Sequence, residues 1–359
     1  MLTVIAVYLS INYLMPGEHL NGLQREFWFE GMLAWDGGWY MNIAENGYTS
    51  IQSTAFFPLY PMLIAAVVYL TGSSAGVAAV LISNLTFLAA LYFLYKFIAA
   101  IWDDSVADRS ILLAVLFPGT LFFTMAYTEA MTVLLTAIFF WMLHQGKWYG
   151  CIITAFLAVA LKQTGLVLGM VLLINIWQNR EMLSDRQLMC RFLSLGFIPI
   201  GLFGFMLHTY MKFGDPFAFF HAQSYWGREP VIPIVNILYS LANLLFMRYK
   251  MDYTVMVVVN GFTTLLSIYM VYLFIFKVKV EKYKIELSLY LILTLLLTII
   301  SAPGGGTEAY GRHMSTLFPV YPMLAICYQK KWRYAIAGTG LYMSKFVLIC
   351  MFSNGYWVT

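Results

Sequence analysis

Charged residues are scarce in this chain. Only 11% of its 359 residues are Asp, Glu, Lys or Arg, whereas 61% are hydrophobic, and a soluble domain carries roughly 25% charged residues. The mean hydropathy is correspondingly high at +0.76. The net charge of +4 forms no Lys/Arg stripe, so nucleic acid is not an expected partner. The composition excludes a soluble domain and predicts contact with membrane lipids.

Cysteine is equally sparse. Cys151, Cys190, Cys327 and Cys350 are far apart in the sequence, which excludes a paired zinc-binding motif and a disulfide framework. The chain also lacks a fixed-period repeat and a Pro/Gly/Ser-rich linker, so residues 1–359 are predicted to form one domain. Its first 15 residues are apolar without a charged leading segment or cleavage site, which favours a short membrane helix over a removed signal peptide.

Long apolar runs are what the chain has in abundance. Runs of about 17–25 residues recur along most of its length, and a helix needs this length to cross a hydrocarbon core of ~30 Å. They predict an all-α fold, a polytopic transmembrane helical bundle with about ten crossings. Residues 62–70 are short, which favours a half-crossing, and residues 234–246 are expected in the membrane interface.

Basic residues in the loops indicate the orientation. Most of them lie at residues 96–109, 147, 180–191, 277–284 and 330–333. The positive-inside rule places these loops in the cytoplasm. The intervening polar stretches then face the outer side, and they are residues 16–54, 127–129, 162–165, 214–233 and 303–313. Any site built from these stretches is expected on the non-cytoplasmic face.

The sequence Trp-Asp-Gly-Gly-Trp-Tyr at residues 35–40 is the most informative polar gap. Asp36 lies between Trp35 and two glycines, which let a backbone approach a sugar or phosphate closely. A carboxylate here can accept the proton of a reacting hydroxyl, with Trp35 and Tyr40 as sugar contacts. Alternatively, Asp36 only caps the helix that residues 40–44 indicate. The spacing alone leaves both interpretations open.

Glu129 opens a later apolar helix, directly after Tyr127 and Thr128. A first-turn acid favours the helix dipole without any further role. An ionisable residue at the edge of a membrane segment is also a functional candidate. Both readings of Glu129 stay open at this point.

Lys162 interrupts the apolar stretch of residues 151–177, with Gln163 beside it. A lysine that faces lipid extends its ammonium group to the membrane surface. In a cavity, Lys162 would instead pair with an anion such as a lipid-linked phosphate. A helix that begins after Gly165 would favour the same anion with its N-terminus.

Residues 214–228 mix aromatic rings with hydrogen-bonding side chains, including Asp215, Gln223 and Trp226. Rings stack on the CH faces of sugars, while amides and carboxylates bind their hydroxyls. Tryptophan and tyrosine also collect at any membrane interface, so this loop is either a sugar site or an interfacial belt. A metal site at His221 is not expected, because no second ligand has a suitable spacing.

A glycine-rich gap at residues 303–313 ends in Arg312 and His313. Backbone N–H groups of such a turn can hold phosphate, and an arginine can bind it through two hydrogen bonds. The gap is not a P-loop, since the Gly-Lys-Ser/Thr ending is absent. Phosphate binding is the favoured interpretation, and an external loop anchored by Arg312 is the alternative.

The order of these motifs resembles the PIG-V family of GT-C membrane glycosyltransferases. The matching elements are Trp35-Asp36-Gly37, Tyr40, Ile43-Ala44, Gly47-Tyr48, residues 55–61, residues 127–129, residues 162–165, residues 214–217, Gln223, Trp226, Arg312-His313 and Phe318-Pro319. The resemblance implies an inverting enzyme that takes a hexose, with mannose as first candidate, from a polyprenyl-phosphate sugar. Its acceptor would be a lipid-linked or surface glycan on the non-cytoplasmic side.

The resemblance also implies roles for individual residues. Asp36 would be the catalytic base in the first outer loop. The donor phosphate or sugar would lie against Lys162, Gln163, Arg312, His313, Glu129 and Tyr127, and the acceptor against Trp35, Tyr40, Asp215, Gln223 and Trp226. Lys162 departs from the family, because many relatives carry arginine there, and the chain looks shorter than eukaryotic members. The compact form is more typical of a bacterial relative in the plasma membrane.

Three alternatives stay open on the sequence. A lipid or glycolipid transporter or flippase would use Lys162 and Glu129 as a translocation pair, although no inverted repeat supports it. A non-catalytic partner of a larger transferase complex would not need its acidic residues. No cofactor is certain, but a divalent cation held by Asp36, Glu129 and Glu45 is left open.

Overall fold

The computed structural model describes residues 5–7, 10, 30–228, 232–246, 251–278, 280, 282–300, 310–328, 330–354 and 358. The regular elements in these ranges are helical, as the sequence predicts. In chain order the α-helices are α1 Asp36–Asn46, α2 Leu59–Thr71, α3 Ala75–Ile101, α4 Asp104–Leu116, α5 Glu129–His144, α6 Trp148–Leu161, α7 Leu166–Asn179, α8 Asp185–Leu195, α9 Ile200–Phe213, α10 Ala218–His221, α11 Pro233–Phe246, α12 Met251–Phe276, α13 Lys284–Ile300, α14 Tyr310–Ser315, α15 Val320–Cys327 and α16 Lys331–Ser353.

Three of the described stretches are long and apolar enough to cross a membrane: α3 with 27 residues, the α8–α9 segment with 29 and α16 with 23. Several other apolar helices are shorter, including α2, α5 and α6. With a rise of 1.5 Å per residue, the 13 residues of α2 span about 20 Å. This helix includes residues 62–70 and is shorter than a full crossing, as expected. The count of about ten crossings and the interfacial position of α11 stay predictions.

The core that supports the site lies between α3, α5 and α15. Three rings meet there in tilted or edge-to-face contact: Phe97 from α3, Phe140 from α5 and Phe318, which lies just before α15. The ring centroids are 5.6 Å apart for Phe97 and Phe140, 5.7 Å for Phe97 and Phe318, and 5.4 Å for Phe140 and Phe318. Edge-to-face packing at such distances is favourable beyond simple burial. Because α5 is fixed in this core, its first residue, Glu129, is fixed as well.

The long apolar run of residues 151–177 is broken at its polar centre. α6 ends at Leu161, Lys162 has an extended backbone, and α7 begins at Leu166. A Cβ atom on Gly165 would lie only 2.3 Å from the carbonyl carbon of Ala158, so only glycine allows the chain to return against α6. The predicted new helix after Gly165 is confirmed. Lys162 lies in the break between α6 and α7, outside both helices.

A second break separates α4 from the 3-10 helix Pro118–Phe123. The buried ammonium group of Lys345 on α16 donates to the carbonyl of Val115 at 2.9 Å and to Thr120 Oγ1 at 3.0 Å. These bonds satisfy a carbonyl in the last turn of α4, which the helix itself leaves without a partner. A Cβ atom on Gly119 would lie 2.3 Å from the carbonyl oxygen of Gly311. Helix α14 therefore packs backbone to backbone on this segment.

The variant Gly119→Ala is expected to lower the melting temperature in detergent, because the new methyl group meets a backbone oxygen that cannot rotate away. Overpacking of this kind costs about 1–3 kcal/mol. Gly204→Ala in α9 is the control, since nothing lies within 4 Å of its new Cβ and alanine is the better helix former. Equal melting temperatures for the two variants would contradict the close approach of Gly119 and Gly311.

Candidate active site

Asp36, Glu129 and Arg312 form an ion network inside the protein. Arg312 Nη1 donates to Asp36 Oδ2 at 2.7 Å, and its Nε lies 3.0 Å from Glu129 Oε1. Lys162 Nζ lies 3.7 Å from the same Glu129 oxygen. The side chains of Glu129 and Arg312 are only 1% and 7% exposed, whereas that of Asp36 keeps 19%. Two carboxylates thus balance two cations, and Asp36 is the more exposed of the two carboxylates.

Local backbone contacts hold Asp36 in place. The amide of Ala126 donates to the carbonyl of Met32 at 3.0 Å, and the Tyr127 hydroxyl donates to the carbonyl of Ala34 at 3.3 Å. Trp35, with a φ of 61°, precedes α1 as its N-cap residue. Asp36 is therefore the first helical residue, and the helix-cap interpretation is wrong. Its carboxylate instead pairs with Arg312.

Arg312 stands between the carboxylates and a layer of aromatic rings. Its guanidinium carbon lies 5.1 Å from the ring centre of Tyr127 and 5.7 Å from that of Phe122, within the range of cation–π attraction. Tyr127 and Glu129 lie behind Arg312 and line neither of the cavities described next. The structure thus does not bring these two residues to a donor, although the sequence predicted such contacts. They orient Arg312 instead.

The first cavity has a volume of about 380 Å³ and opens beside Asp36. Its polar lining includes Asp36, Arg312 and Lys162, and its aromatic lining includes Trp39 and Trp226. The complete set of lining residues is Trp35, Asp36, Trp39, Tyr40, Ala55, Phe56, Phe57, Leu161, Lys162, Gln223, Trp226, Arg228, Arg312 and His313. Four of the five predicted acceptor contacts, Trp35, Tyr40, Gln223 and Trp226, are therefore brought together here.

The second cavity, of about 540 Å³, adjoins the first. The two share Lys162, His313, Gln223 and Arg228 as a polar boundary, with Ala55, Phe57 and Leu161 beside them. Lys162 Nζ is 3.3 Å from His313 Nδ1, within hydrogen-bonding distance. The predicted donor contact Gln163 lines only this second cavity.

Helix α13 supplies one wall of the second cavity. Tyr290, Leu293, Thr294, Leu297 and Thr298 all line it, and their spacing places them on one helix face. The buried Thr294 Oγ1 has no hydrogen-bond partner in the described part of the chain. A buried hydroxyl of this kind normally bonds to a protein group, a water or a ligand. The wall is therefore suited to a molecule with both apolar and oxygen-bearing parts.

Asp215 is the predicted acceptor contact that the structure does not bring to the site. It lines neither cavity. One of its carboxylate oxygens accepts from the amide of Phe217 at 2.9 Å, and the other lies 2.7 Å from His221 Nδ1. The hydrogen bond from His221 lowers the pKa of the Asp215 carboxyl. Asp215 therefore orders the turn that precedes α10.

The described residues offer no ligand set for a divalent cation. Glu45 is exposed and lines neither cavity. Asp36 and Glu129 are bridged by the guanidinium group of Arg312, which takes the place that a metal ion would need. In the ranges that the structure describes, no group of three His, Cys, Asp or Glu side chains could hold a metal ion. Glu45 is thus removed from the three-acid grouping considered on the sequence.

Sequence analysis missed several lining residues. Trp39 lies three residues after Asp36, and this spacing on a helix places both on one face. The hydroxyls of Tyr290, Thr294 and Thr298 recur every four residues within an apolar run, a signal that was visible but not used. Arg228 stands at the end of the aromatic loop and offered no such pattern.

Comparisons with known proteins agree with this architecture. The family model "Mannosyltransferase (PIG-V)" matches residues 13–227. GPI mannosyltransferase 2 of Drosophila melanogaster is 32% identical over 109 residues, which cover 28% of this chain and 24% of that protein. GPI alpha-1,6-mannosyltransferase 2 of Homo sapiens is 29% identical over 148 residues, covering 38% and 30%. The matched segments thus span less than a third of these relatives.

A solved structure shares the fold. ArnT from Cupriavidus metallidurans, bound to undecaprenyl phosphate, aligns with a TM-score of 0.54 at 12% identity, and the alignment covers 97% of this chain and 62% of that one. The predicted all-α membrane fold of GT-C type is thereby confirmed. Because the family model matches more than half of the 359 residues, the chain belongs to the PIG-V mannosyltransferase family.

Proposed function

We propose that residues 1–359 form one inverting transferase domain that moves a hexose, with mannose as first candidate, from a polyprenyl-phosphate sugar to a lipid-linked or surface glycan. The observation that carries this proposal is the position of Asp36 in a cavity that is joined to a second cavity across Lys162 and His313. Family membership supports mannose. The bound undecaprenyl phosphate of ArnT, a protein of similar fold, supports a polyprenyl-linked donor.

The boundary between the cavities suits the donor phosphate. Lys162 and Arg228 bring positive charge to both cavities, and His313 lies beside them. Positive side chains stabilise the negative charge that develops on a leaving phosphate. The isoprenoid chain would then lie in the second cavity, where Leu166 and Met170 supply apolar surface. Thr294 Oγ1 is available there to an oxygen of the donor head group.

Asp36 is the base of the proposed reaction. It accepts the proton of the acceptor hydroxyl while that oxygen attacks the anomeric carbon from the face opposite the phosphate. A new carbon–oxygen bond forms, the bond from the anomeric carbon to the phosphate oxygen breaks, and polyprenyl phosphate leaves with the electron pair. Arg312 Nη1 contacts Asp36 Oδ2 at 2.7 Å and so orients the carboxylate.

A single displacement needs only one reacting carboxylate. Retaining glycosidases differ, because they place a second carboxyl group about 5–5.5 Å away as nucleophile. The other acid of this network, Glu129, is buried behind Arg312 and cannot reach a sugar. The arrangement of Asp36 and Glu129 therefore supports inversion at the anomeric centre.

The positive loops support a site on the non-cytoplasmic side of an integral membrane protein. Purified full-length protein in nanodiscs, given synthetic polyprenyl-phosphate mannose and a membrane lipid extract, is expected to release polyprenyl phosphate and to mannosylate a lipid. GDP-mannose is the control donor and should give no product. Transfer from GDP-mannose alone would reject the donor class. Lipid movement across proteoliposomes without transfer would support the transporter instead.

A further inference from the structure

An aromatic wall lines the first cavity. It consists of Trp39, Phe56 and Trp226, which line the first cavity and not the second. Trp39 and Phe56 are stacked, with centroids 5.6 Å apart and an interplanar angle of 13°. Trp226 stands at 87° to both, at 5.5 and 6.0 Å. Each ring therefore fixes the other two.

The aromatic wall is not part of an interfacial belt. Trp226 contacts rings inside the protein yet remains 37% exposed, while its neighbour Tyr225 is 58% exposed and lines no cavity. The turn that carries Trp226 is anchored by the fully buried Ala218 and Ala222. Arg228 N donates to the carbonyl of Gln223 at 3.1 Å. A belt residue would face lipid from a surface, whereas Trp226 is held over a cavity.

Polar groups flank the aromatic wall. Gln223 Oε1 accepts from Arg228 Nη1 at 3.3 Å, and both side chains line the first cavity. Apolar rings with an amide and a guanidinium beside them match a pyranose, which has CH faces and equatorial hydroxyls. Aromatic side chains suit such a ring because they offer a large rigid surface with few rotatable bonds.

The spacing of Asp36 and Trp39 determines how far a sugar ring at the aromatic wall lies from the reacting carboxylate. They are three residues apart in α1 and both line the first cavity, so they are separated by about 4.5 Å along the helix axis. This is close to the width of one sugar ring. A ring against the wall can therefore present a hydroxyl to Asp36.

We propose that Trp39, Phe56 and Trp226 bind the terminal pyranose ring of the acceptor and so determine acceptor specificity. The proposal rests on the proposed function only in naming this ring the acceptor. In the proposed reaction the donor sugar is tied to a phosphate at Lys162 and His313, and this arrangement leaves the aromatic wall to the acceptor ring. An acceptor without a ring, such as a plain lipid alcohol, would leave the aromatic wall without a partner.

Direct binding tests the aromatic wall apart from transfer. Radiolabelled octyl mannoside, used below its micelle-forming concentration with protein in nanodiscs, is expected to bind saturably. Trp226→Ala should raise its Kd about tenfold, the effect of losing one stacked ring, and Trp226→Phe should recover part of the affinity. Tyr225→Ala is the matched control and should bind like the wild type.

Competition separates the two sugar positions. Unlabelled octyl glucoside should displace the probe, whereas 1-octanol and polyprenyl phosphate should not. An unchanged Kd in Trp226→Ala, absence of saturable binding, or displacement by polyprenyl phosphate would overturn the proposal. A wild-type protein that binds octyl mannoside through Trp226 but shows no transfer would refute the proposed function and leave the sugar site standing.

Discussion

Asp36→Asn is expected to reduce the rate of transfer by about 10²–10⁴-fold, the usual contribution of a positioned general base. Asparagine has nearly the same shape and can still accept a hydrogen bond from Arg312, but it cannot accept the acceptor proton. Initial rates with polyprenyl-phosphate mannose measure the loss. Donor binding and melting temperature should change little, because Glu129 remains to pair with Arg312.

Asp215→Asn is the control for this variant. Asp215 is also an aspartate next to glycine, but it lines neither cavity, so the turnover of Asp215→Asn should stay close to that of the wild type. Turnover of Asp36→Asn within tenfold of the wild type would remove Asp36 from the mechanism. Equal losses of turnover in the two variants would indicate that removing any negative charge from the outer side lowers turnover.

Glu129→Gln is expected to give the largest loss of stability together with a loss of activity. Glu129 is 1% exposed and lies within 3.0 Å of Arg312 and 3.7 Å of Lys162, so its neutralisation leaves Asp36 as the only carboxylate of the network for these two cations. Breaking a buried ion pair in this way costs about 3–5 kcal/mol. Thermal unfolding in detergent measures the stability, and polyprenyl-phosphate binding measures whether Lys162 keeps its place.

Two further variants separate charge balance from function at Glu129. Glu286→Gln is the matched control: Glu286 is also buried and accepts from Asn175 at 2.8 Å, but it lines neither cavity. It should lower stability without changing donor affinity. The double variant Glu129→Gln/Arg312→Met removes both charges and should recover stability while transfer stays low. A double variant less stable than Glu129→Gln alone would contradict the ion network.

Sequence reasoning identified Asp36 and Arg312 as candidates because each lies in a glycine-containing polar gap between apolar segments, and Lys162 because it interrupts an apolar stretch. It could not distinguish residues that line a cavity from residues that support them. The sequence made Glu129 and Tyr127 candidates for the donor site just as it did Lys162, yet in the structure they lie behind Arg312. Helix periodicity extends only a few residues, so it can relate Trp39 to Asp36 but not Arg312 to Glu129, which are far apart in the chain.

The loop of residues 214–228 shows the same limit. Its composition fitted both a sugar site and a membrane belt, since Trp and Tyr serve both. The structure divides the loop residue by residue: Trp226 and Gln223 line the first cavity, Asp215 closes a turn with His221, and Tyr225 faces outward. Packing of Trp226 against Trp39 and Phe56 decides this division, and those partners are about 170–190 residues away.

The sequence by itself determined the class of protein: apolar runs with few charges can be stable only as membrane helices, because backbone groups in lipid must bond within the helix. It also predicted that a new helix begins after Gly165. Only the tertiary structure decided that Arg312 bridges Asp36 and Glu129, and that two cavities meet at Lys162. Those contacts depend on how distant helices pack, and burial of charge is stable only when packing brings opposite charges together.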